Sequence, residues 1–221
     1  WLAALGVLIN VGLVGYERAV LGERAGVVNI AIDGQLLAGA FAAALVGSLV
    51  GSAWAGVLGA IVAGALVALL LAVFAISYYV EQVIVGVVLN VLVIGLTSFM
   101  FSQVMAPNTA ALNNPPRLGL MPIPLLGDIP LIGPIFFRQS PLVYLLYVAV
   151  VLVTWGLYRT RWGLRIRAVG EHPKAADTVG INVIRTRYRT VILAGAIAGM
   201  GGAFYTLVSV QQFNREMTGG A

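Results

Sequence analysis

The sequence lacks cysteine altogether, and it has only one histidine among its 221 residues. The absence of thiols excludes disulfide bonds and thiolate metal sites, and a single imidazole without a carboxylate-rich cluster argues against a metal site built by the protein. Charge is also scarce, since Asp, Glu, Lys and Arg make up 10% of the chain, whereas soluble domains carry about 25%. With 60% hydrophobic residues, the composition predicts an integral membrane protein.

The alternation typical of membrane-spanning β-strands is missing, and apolar runs of helical length recur instead. A spanning helix needs roughly 20 apolar residues, whereas a spanning strand alternates over about ten. We therefore predict an all-α integral membrane protein, a polytopic helical bundle that forms a single transmembrane domain over 1–221. About six spans are expected, at 1–15, 27–50, 53–76, 83–101, 142–158 and 190–210. Because the chain opens inside an apolar run without Met, we expect it to be a fragment, truncated at both ends.

The positive charge is concentrated in one segment. Eight of the thirteen Lys and Arg residues lie within 159–189, between two apolar runs. Because basic loops remain on the cytoplasmic side of a membrane, this segment is predicted to be cytoplasmic. Topology explains the net charge of +5 better than nucleic-acid binding does, since there is no soluble domain to present a basic patch.

Proline is concentrated in a different segment. Eight of the nine prolines lie within 105–141, between the fourth and fifth predicted spans. Proline lacks an N–H group and disfavours helical backbone at the residue before it. We therefore predict a non-helical, Pro-rich loop, and the alternation of spans places this loop on the external side.

Polar residues interrupt the second predicted span, within 23–34. Asn29 and Asp33 are four residues apart, so on a continuous helix they share one face, and Gly26 and Gly34 permit local unwinding. An ionisable group inside a span is costly and usually faces a bundle interior or a water-filled path. One hypothesis is a broken helix beside a translocation path. The alternative is that Asp33 lies near the cytoplasmic interface and pairs with an arginine such as Arg24.

A second polar residue, Asn90, lies inside an otherwise apolar run. It either forms an interhelical hydrogen bond or contributes to a pathway. Glu81, at the edge of the same run, is better explained as an interface charge than as a catalytic carboxylate, and His172 has no acid–base partner nearby in sequence. Because no nucleophile, base or metal ligands cluster, we predict no catalytic residues and no enzymatic activity for this chain.

The basic segment contains the signals of a short helix. Pro173 suits the first position of a helix, Glu171 just before it favours the positive end of the helix dipole, and Gly180 can end the helix in a left-handed conformation. Ala175 and Ala176 would let a partner surface approach closely. The segment is thus either a docking helix of about two turns or a loop that only sets topology.

Three stretches together resemble one family. They are ERAGVVNIAIDG at 23–34, EQVIVGVVLNVLVIGLT at 81–97 and GLRIRAVGEHPKAADTVG at 163–180. They are similar to the permease subunits of ABC importers in the branched-chain amino acid and simple-sugar group. The likeness is greatest to nucleoside or simple-sugar importers that work with a basic membrane lipoprotein-type binding protein.

The resemblance implies roles for residues at the matching positions. It implies a coupling helix in the basic segment that docks on a cytoplasmic ATPase subunit, and a helix near the central pathway that carries the first motif. The coupling residues would be Gly170, Glu171, His172, Pro173, Ala175, Ala176 and Gly180. The pathway residues would be Asn29, Asp33 and Gly34, with Asn90 on a helix packed beside them.

The sequence departs from the family pattern at three positions in or next to these motifs. His172 stands where Asn is expected, which weakens the side-chain cap of the coupling helix. Asp33 stands where Glu is more usual, which keeps the charge and shortens its reach. Gln35 is also unusual after the preceding glycine.

By the same resemblance, the chain would be the membrane-spanning permease subunit of an ATP-binding cassette importer, in the cytoplasmic (inner) membrane of a prokaryote. It would translocate a nucleoside or a simple sugar, or alternatively branched-chain amino acids or another small polar solute. It would bind no cofactor itself, because a partner ATPase uses the ATP and Mg. The other expected partners are a second permease subunit, identical or different, an extracytoplasmic solute-binding lipoprotein and membrane lipid.

A secondary transporter driven by an ion gradient is the rival interpretation. Such a transporter needs intramembrane ion ligands or a proton-relay carboxylate, and Asp33 is the candidate that this sequence offers.

Overall fold

The computed structural model describes residues 24–119, 121–122, 138–210 and 212–214. Five of the described helices are long and apolar enough to cross a membrane, which confirms the predicted all-α, multi-pass architecture. The first predicted span, at 1–15, lies outside the described residues.

The bundle consists of long helices joined mostly by short connections. The helices are α1 (Ile32–Val50), α2 (Ala53–Ala72), α3 (Gln82–Met100), α4 (Thr109–Leu112), α5 (Pro141–Arg159), α6 (Arg161–Glu171), α7 (Pro173–Thr178) and α8 (Val183–Phe204). Turns of π-helix follow three of them, at Val73–Ser77 after α2, Phe101–Met105 after α3 and Tyr205–Ser209 after α8. A two-residue antiparallel pair joins β1 (Met121–Pro122) to β2 (Arg138–Gln139).

Helices α1, α2 and α8 form the centre of the bundle, where glycines let their backbones approach closely. A Cβ on Gly199 of α8 would overlap the carbonyl of Ala60 on α2, and a Cβ on Gly39 of α1 would overlap the Gly199 carbonyl. The hydroxyl of Thr206 adds a 3.0 Å hydrogen bond to the Ala40 carbonyl of α1. Small residues at crossings are typical of helices that associate in a membrane. These three helices therefore form the frame against which α3 and α5 pack.

The outer faces of α3 and α5 expose large apolar side chains. On α3 these include Val83, Ile84, Val87, Val88, Val91, Leu92, Leu96 and Phe99, and on α5 they include Val148, Val151, Leu152 and Trp155. Soluble monomers rarely expose contiguous apolar patches of this kind. In a membrane, such faces contact lipid tails or pack against a neighbouring transmembrane helix.

The beginning of the predicted external loop is helical, so the prediction of a non-helical 105–141 is wrong there. The backbone continues from α3 through the π turn, a 3₁₀ turn at Ala106–Asn108 and α4. Pro107 is tolerated because it lies in the first turn of the 3₁₀ helix, where its missing N–H has no helical partner. Further along, the loop is tied to α5, because the Tyr144 hydroxyl donates to the Met121 carbonyl at 3.1 Å.

The basic segment is mostly helical, where the sequence predicted a loop with one short helix. Helix α6 begins after Thr160, whose side-chain oxygen accepts a hydrogen bond from the Gly163 N–H at 3.2 Å. Helix α8 begins at Val183 rather than near Thr190, and the Asn182 side chain accepts from the Arg185 N–H at 2.8 Å. Thr and Asn are preferred N-cap residues, so both starts had a signal that the sequence interpretation missed.

Candidate functional site

Helix α1 is preceded by an unwound segment, residues 26–31. Gly26 has a φ of +74°, and the backbone from 27 to 30 is neither helix nor strand. The helix therefore begins five residues after the start of the predicted span, which agrees with the hypothesis of a broken helix, while a position beside a translocation path stays a prediction. Irregular backbone at membrane depth is tolerated only where its polar groups find partners in the protein.

Side chains of α3 supply those partners. The Val28 N–H donates to the side-chain carbonyl of Gln82 at 2.7 Å. The Asn90 amide nitrogen donates to the Ile30 carbonyl at 3.0 Å. Both bonds join backbone of the unwound segment to a helix more than fifty residues away in sequence, so the break before α1 depends on tertiary structure.

Asn90 also caps the start of α1 from the neighbouring helix. Its side-chain oxygen accepts a hydrogen bond from the Gly34 N–H at 2.8 Å, which is a bond that an N-cap side chain usually makes. The N-cap position itself is Ala31, which makes no side-chain cap. A Cβ on Gly34 would lie 2.9 Å from the Asn90 side-chain oxygen and 3.3 Å from its Cα. Gly34 is therefore needed for the close approach of the two helices.

The contact surface on α3 is a stripe of residues four apart, Gln82, Gly86 and Asn90. Residues at this spacing share one helix face, and they cover about 12 Å along the axis at roughly 1.5 Å per residue. A Cβ on Gly86 would lie 2.8 Å from the Ile30 side chain and 3.1 Å from the Ala31 nitrogen. The stripe thus holds the unwound segment along its length.

Asn29 and Asp33 do not share a helix face, contrary to the prediction, because Asn29 precedes the first turn of α1. Asn29 instead pairs with Gln35, and both side chains are buried. Each amide donates to the other's oxygen, at 3.0 Å from Asn29 and 3.3 Å from Gln35. This hydrogen-bonded pair explains the presence of glutamine at position 35.

Asp33 has a different environment. It occupies the second position of α1, where a carboxylate interacts favourably with the positive end of the helix dipole, and it is exposed. Among the four predicted pathway residues, Asn29, Gly34 and Asn90 are engaged within the protein. Asp33 is the one of the four whose side chain is exposed. A role in a translocation pathway stays a prediction for all four.

A short helix, α7, is present where the coupling helix was predicted, and its coupling role stays a prediction. Pro173 occupies its first turn, and the N-cap residue His172 makes no side-chain cap bond, as the departure from Asn led us to expect. Gly180 has a φ of +81°. The Gly180 N–H donates to the Asp177 carbonyl at 2.9 Å and the Ile181 N–H to the Ala176 carbonyl at 3.0 Å, which together form a Schellman motif. The helix is therefore bounded at both ends by its own sequence.

The two alanines of α7 have opposite environments. Ala175 is exposed, whereas Ala176 is 3% exposed. The prediction that both present a surface to a partner is therefore wrong for Ala176, which anchors α7 to the rest of the basic segment. Glu171 and His172 are exposed beside Ala175, so they remain available to a docking subunit.

Gly170 joins the basic segment to the unwound segment. A Cβ on Gly170 would overlap the carbonyl of Arg24 and would lie 3.3 Å from the Gly26 nitrogen. The same corner is held by Tyr158, whose hydroxyl accepts from the Arg24 guanidinium at 3.4 Å. A continuous set of contacts therefore runs from α7 through Gly170 to the unwound segment and on to α3.

The family model described as "Branched-chain amino acid transport system / permease component" matches residues 2–218. The chain belongs to this permease family. The match confirms the resemblance seen in the three stretches of sequence, and it agrees with a multi-pass protein of the cytoplasmic membrane.

Individual relatives of this permease are known by name. It is 39% identical over 208 residues to the guanosine ABC transporter permease protein NupQ of Bacillus subtilis. The aligned region covers 91% of this chain and 65% of the relative. It is 37% identical over 195 residues to the nucleoside ABC transporter permease protein NupC of Lactococcus lactis, which covers 84% and 60%. It is also 37% identical over 223 residues to the putative glucose ABC transporter permease protein TsgC13 of Haloferax volcanii, which covers 99% and 62%.

The chain thus spans between 60% and 65% of the length of these relatives. No solved structure matches it significantly.

Proposed function

We propose that this permease is the membrane-spanning subunit of an ATP-driven importer that carries a nucleoside or a simple sugar into the cell. Membership of the permease family supports the class of protein. The substrate class is supported by relatives named for guanosine, nucleoside and glucose transport.

The observation that carries the coupling mechanism is the contact of Gly170 with Arg24 and Gly26. An ATPase docked on the exposed face of α7 moves this short helix when it binds ATP and closes. Because α7 follows α6 after a single residue, the displacement reaches Gly170 and, through it, the unwound segment. The unwound segment then shifts against α3, and the spans alternate between outward-facing and inward-facing arrangements.

The distribution of charge supports a neutral, polar solute. Within the five described spans, Asp, Glu, Lys and Arg occur only near the basic end, at Asp33, Arg159, Arg185, Arg187 and Arg189. A nucleoside or sugar can be bound by amide and hydroxyl groups alone, whereas a charged solute would favour a fixed countercharge deeper in the spans.

The remaining partners follow from this function. A cytoplasmic ATPase binds and hydrolyses ATP with Mg, while this chain performs no covalent chemistry. A second permease subunit, identical or different, completes the pathway, and an extracytoplasmic lipoprotein delivers the solute to the external loops. The basic end faces the cytoplasm, in agreement with the positive-inside rule.

The test is uptake in sealed vesicles that contain the complete transporter and its binding protein. Radiolabelled guanosine and glucose are supplied with ATP, with and without an ionophore that collapses ion gradients. We expect uptake of one of them to require hydrolysable ATP and to survive the ionophore. Uptake that stops when the gradient is collapsed, with ATP still present, would favour the secondary transporter with Asp33 as its carboxylate.

A further inference from the structure

A pocket of about 300 Å³ lies at the basic end, between α6, the turn after α7 and the first turns of α8. Three arginines line it, Arg165 from α6 and Arg185 and Arg189 from α8. No acidic residue is in its lining, and all three arginines are exposed. Because like charges repel, a pocket with three guanidinium groups and no carboxylate favours an anion.

Two of the other polar residues of the pocket already make hydrogen bonds. The Asn182 side-chain oxygen accepts from the Arg185 N–H at 2.8 Å, and the Thr186 hydroxyl donates to the Asn182 carbonyl at 2.8 Å. The guanidinium groups are the charged donors that a ligand meets in this pocket. Planar guanidinium groups bind phosphate oxygens with two parallel hydrogen bonds, so a phosphate group suits the site.

One large, exposed aliphatic side chain lines the pocket, and two more are exposed at the positions that precede its arginines in sequence. Val179 lines the pocket and is 73% exposed, Leu164 precedes Arg165 and is 61% exposed, and Ile184 precedes Arg185 and is 53% exposed. Aliphatic groups beside a phosphate-binding pocket fit a ligand that has both a charged head and hydrocarbon chains. Inorganic phosphate has no hydrocarbon part that could pack against these aliphatic side chains.

The depth of the pocket agrees with such a ligand. Helix α8 and its π turn run for 27 residues, Val183–Ser209, which is about 40 Å at roughly 1.5 Å per residue. The hydrocarbon core of a bilayer is only about 30 Å thick, so the helix has length to spare for the headgroup region. Its arginines lie in the first two turns, at the end that reaches that region.

We propose that this pocket binds the phosphate of an anionic phospholipid in the cytoplasmic leaflet. The lipid bridges α6 and α8, the helices on either side of the coupling helix α7, and so fixes the position from which α7 meets its partner. The membrane's content of anionic lipid thereby adjusts the coupling of the transporter. The pocket's lining carries this inference independently of which solute is transported.

The test compares two double variants of the complete transporter that lose the same charge. Arg185→Gln/Arg189→Gln removes two arginines of the pocket, and Arg159→Gln/Arg161→Gln removes two exposed arginines of the basic segment that do not line it. Native mass spectrometry counts phosphatidylglycerol and phosphatidylcholine of identical acyl chains bound per permease. Wild type and the control pair are expected to prefer phosphatidylglycerol, and the pocket pair to lose roughly tenfold or more of that preference.

Equal loss in both double variants would overturn the proposal, because the preference would then follow net charge and not the pocket. Displacement of phosphatidylglycerol from wild type by millimolar inorganic phosphate would assign the site to a soluble anion. A pocket pair that keeps its lipid preference but no longer co-purifies with the ATPase would make the pocket a protein-docking surface. If the Gln pair does not fold, the single variants Arg189→Gln in the pocket and Arg161→Gln outside it are compared in the same way, and only the pocket variant should lose the preference.

Discussion

Asn90 accepts a hydrogen bond from the backbone N–H of Gly34 at 2.8 Å, across two different helices. The same side chain donates to the Ile30 carbonyl at 3.0 Å. One amide thus ends the unwound segment and begins α1. The start of this span depends on a residue of another span, and this dependence can be tested directly.

Asn90→Leu keeps the size of the side chain and removes both hydrogen bonds. Leaving partly buried backbone groups unsatisfied costs about 2 kcal/mol, so we expect the thermal midpoint in detergent to fall by about 5 °C and uptake to fall with it. Thr97→Val is the matched control, because the Thr97 hydroxyl bonds only to carbonyls of its own helix, Val93 and Ile94. Equal midpoints for the two variants would contradict the role given to Asn90.

Gly170→Ala tests the contact between the basic segment and the unwound segment. Its Cβ would overlap the Arg24 carbonyl, so α6 must move away from that corner. We expect solute-stimulated ATP hydrolysis by the complex to fall at least several-fold while basal hydrolysis and membrane insertion persist. Gly95→Ala provides the comparison, because nothing lies within 4 Å of a Cβ at Gly95, and it should behave like wild type. Full stimulation in Gly170→Ala would remove Gly170 from the coupling route.

Ala175→Glu and Ala176→Glu separate docking from folding. Ala175 is exposed, so its variant should keep the wild-type thermal midpoint and lose co-purification with the ATPase. Ala176 is buried, and burying the larger, charged side chain of Glu there costs packing and desolvation, so its variant should lose thermal stability as well. Retained co-purification and retained stimulated hydrolysis in Ala175→Glu would show that α7 is not the coupling helix.

Asp33→Ala is expected to reduce uptake much more than it reduces expression. The carboxylate is exposed, so its removal sacrifices little packing, and its interaction with the helix dipole is worth at most about 1 kcal/mol at an exposed site. Asp33→Asn should give an intermediate rate if the residue binds solute through a hydrogen bond. Normal uptake by both variants would leave Asp33 with only its position at the start of α1.

Much of the fold could be predicted from the sequence, because a helix that crosses a bilayer needs a long apolar run, and each such run can be recognised without knowledge of the others. The bounds of α7 were also predictable, since Pro173 and Gly180 act through local backbone conformation. A break before α1 was one of two hypotheses, because Gly26 and Gly34 permit local unwinding, but the residues that hold it were not predictable, since Gln82 and Asn90 lie far along the chain. The regular four-residue spacing of Gln82, Gly86 and Asn90 was nevertheless visible and could have indicated a contact stripe.

The candidate site was predictable in composition and less so in arrangement. Asn29 and Asp33 were correctly singled out as unusual polar residues, yet a helical wheel placed them together, and the unwound backbone separates them. Ala175 and Ala176 are chemically identical, so only the packing of α7 distinguishes the exposed one from the buried one. Sequence patterns report residue types, whereas the direction of a side chain depends on neighbours from elsewhere in the chain.

The hydrogen bonds of Asn90 to Ile30 and Gly34 involve only main-chain atoms of those two residues. These two hydrogen bonds therefore do not depend on the side chain of residue 30, provided that residue 34 remains glycine. Substitutions at residue 30 can therefore leave these two bonds in place, whereas Gly26, Gly34 and the Asn29–Gln35 pair are constrained by their own conformation and contacts. A permease built in this way can vary at residue 30 while the backbone conformation at the start of α1 is kept.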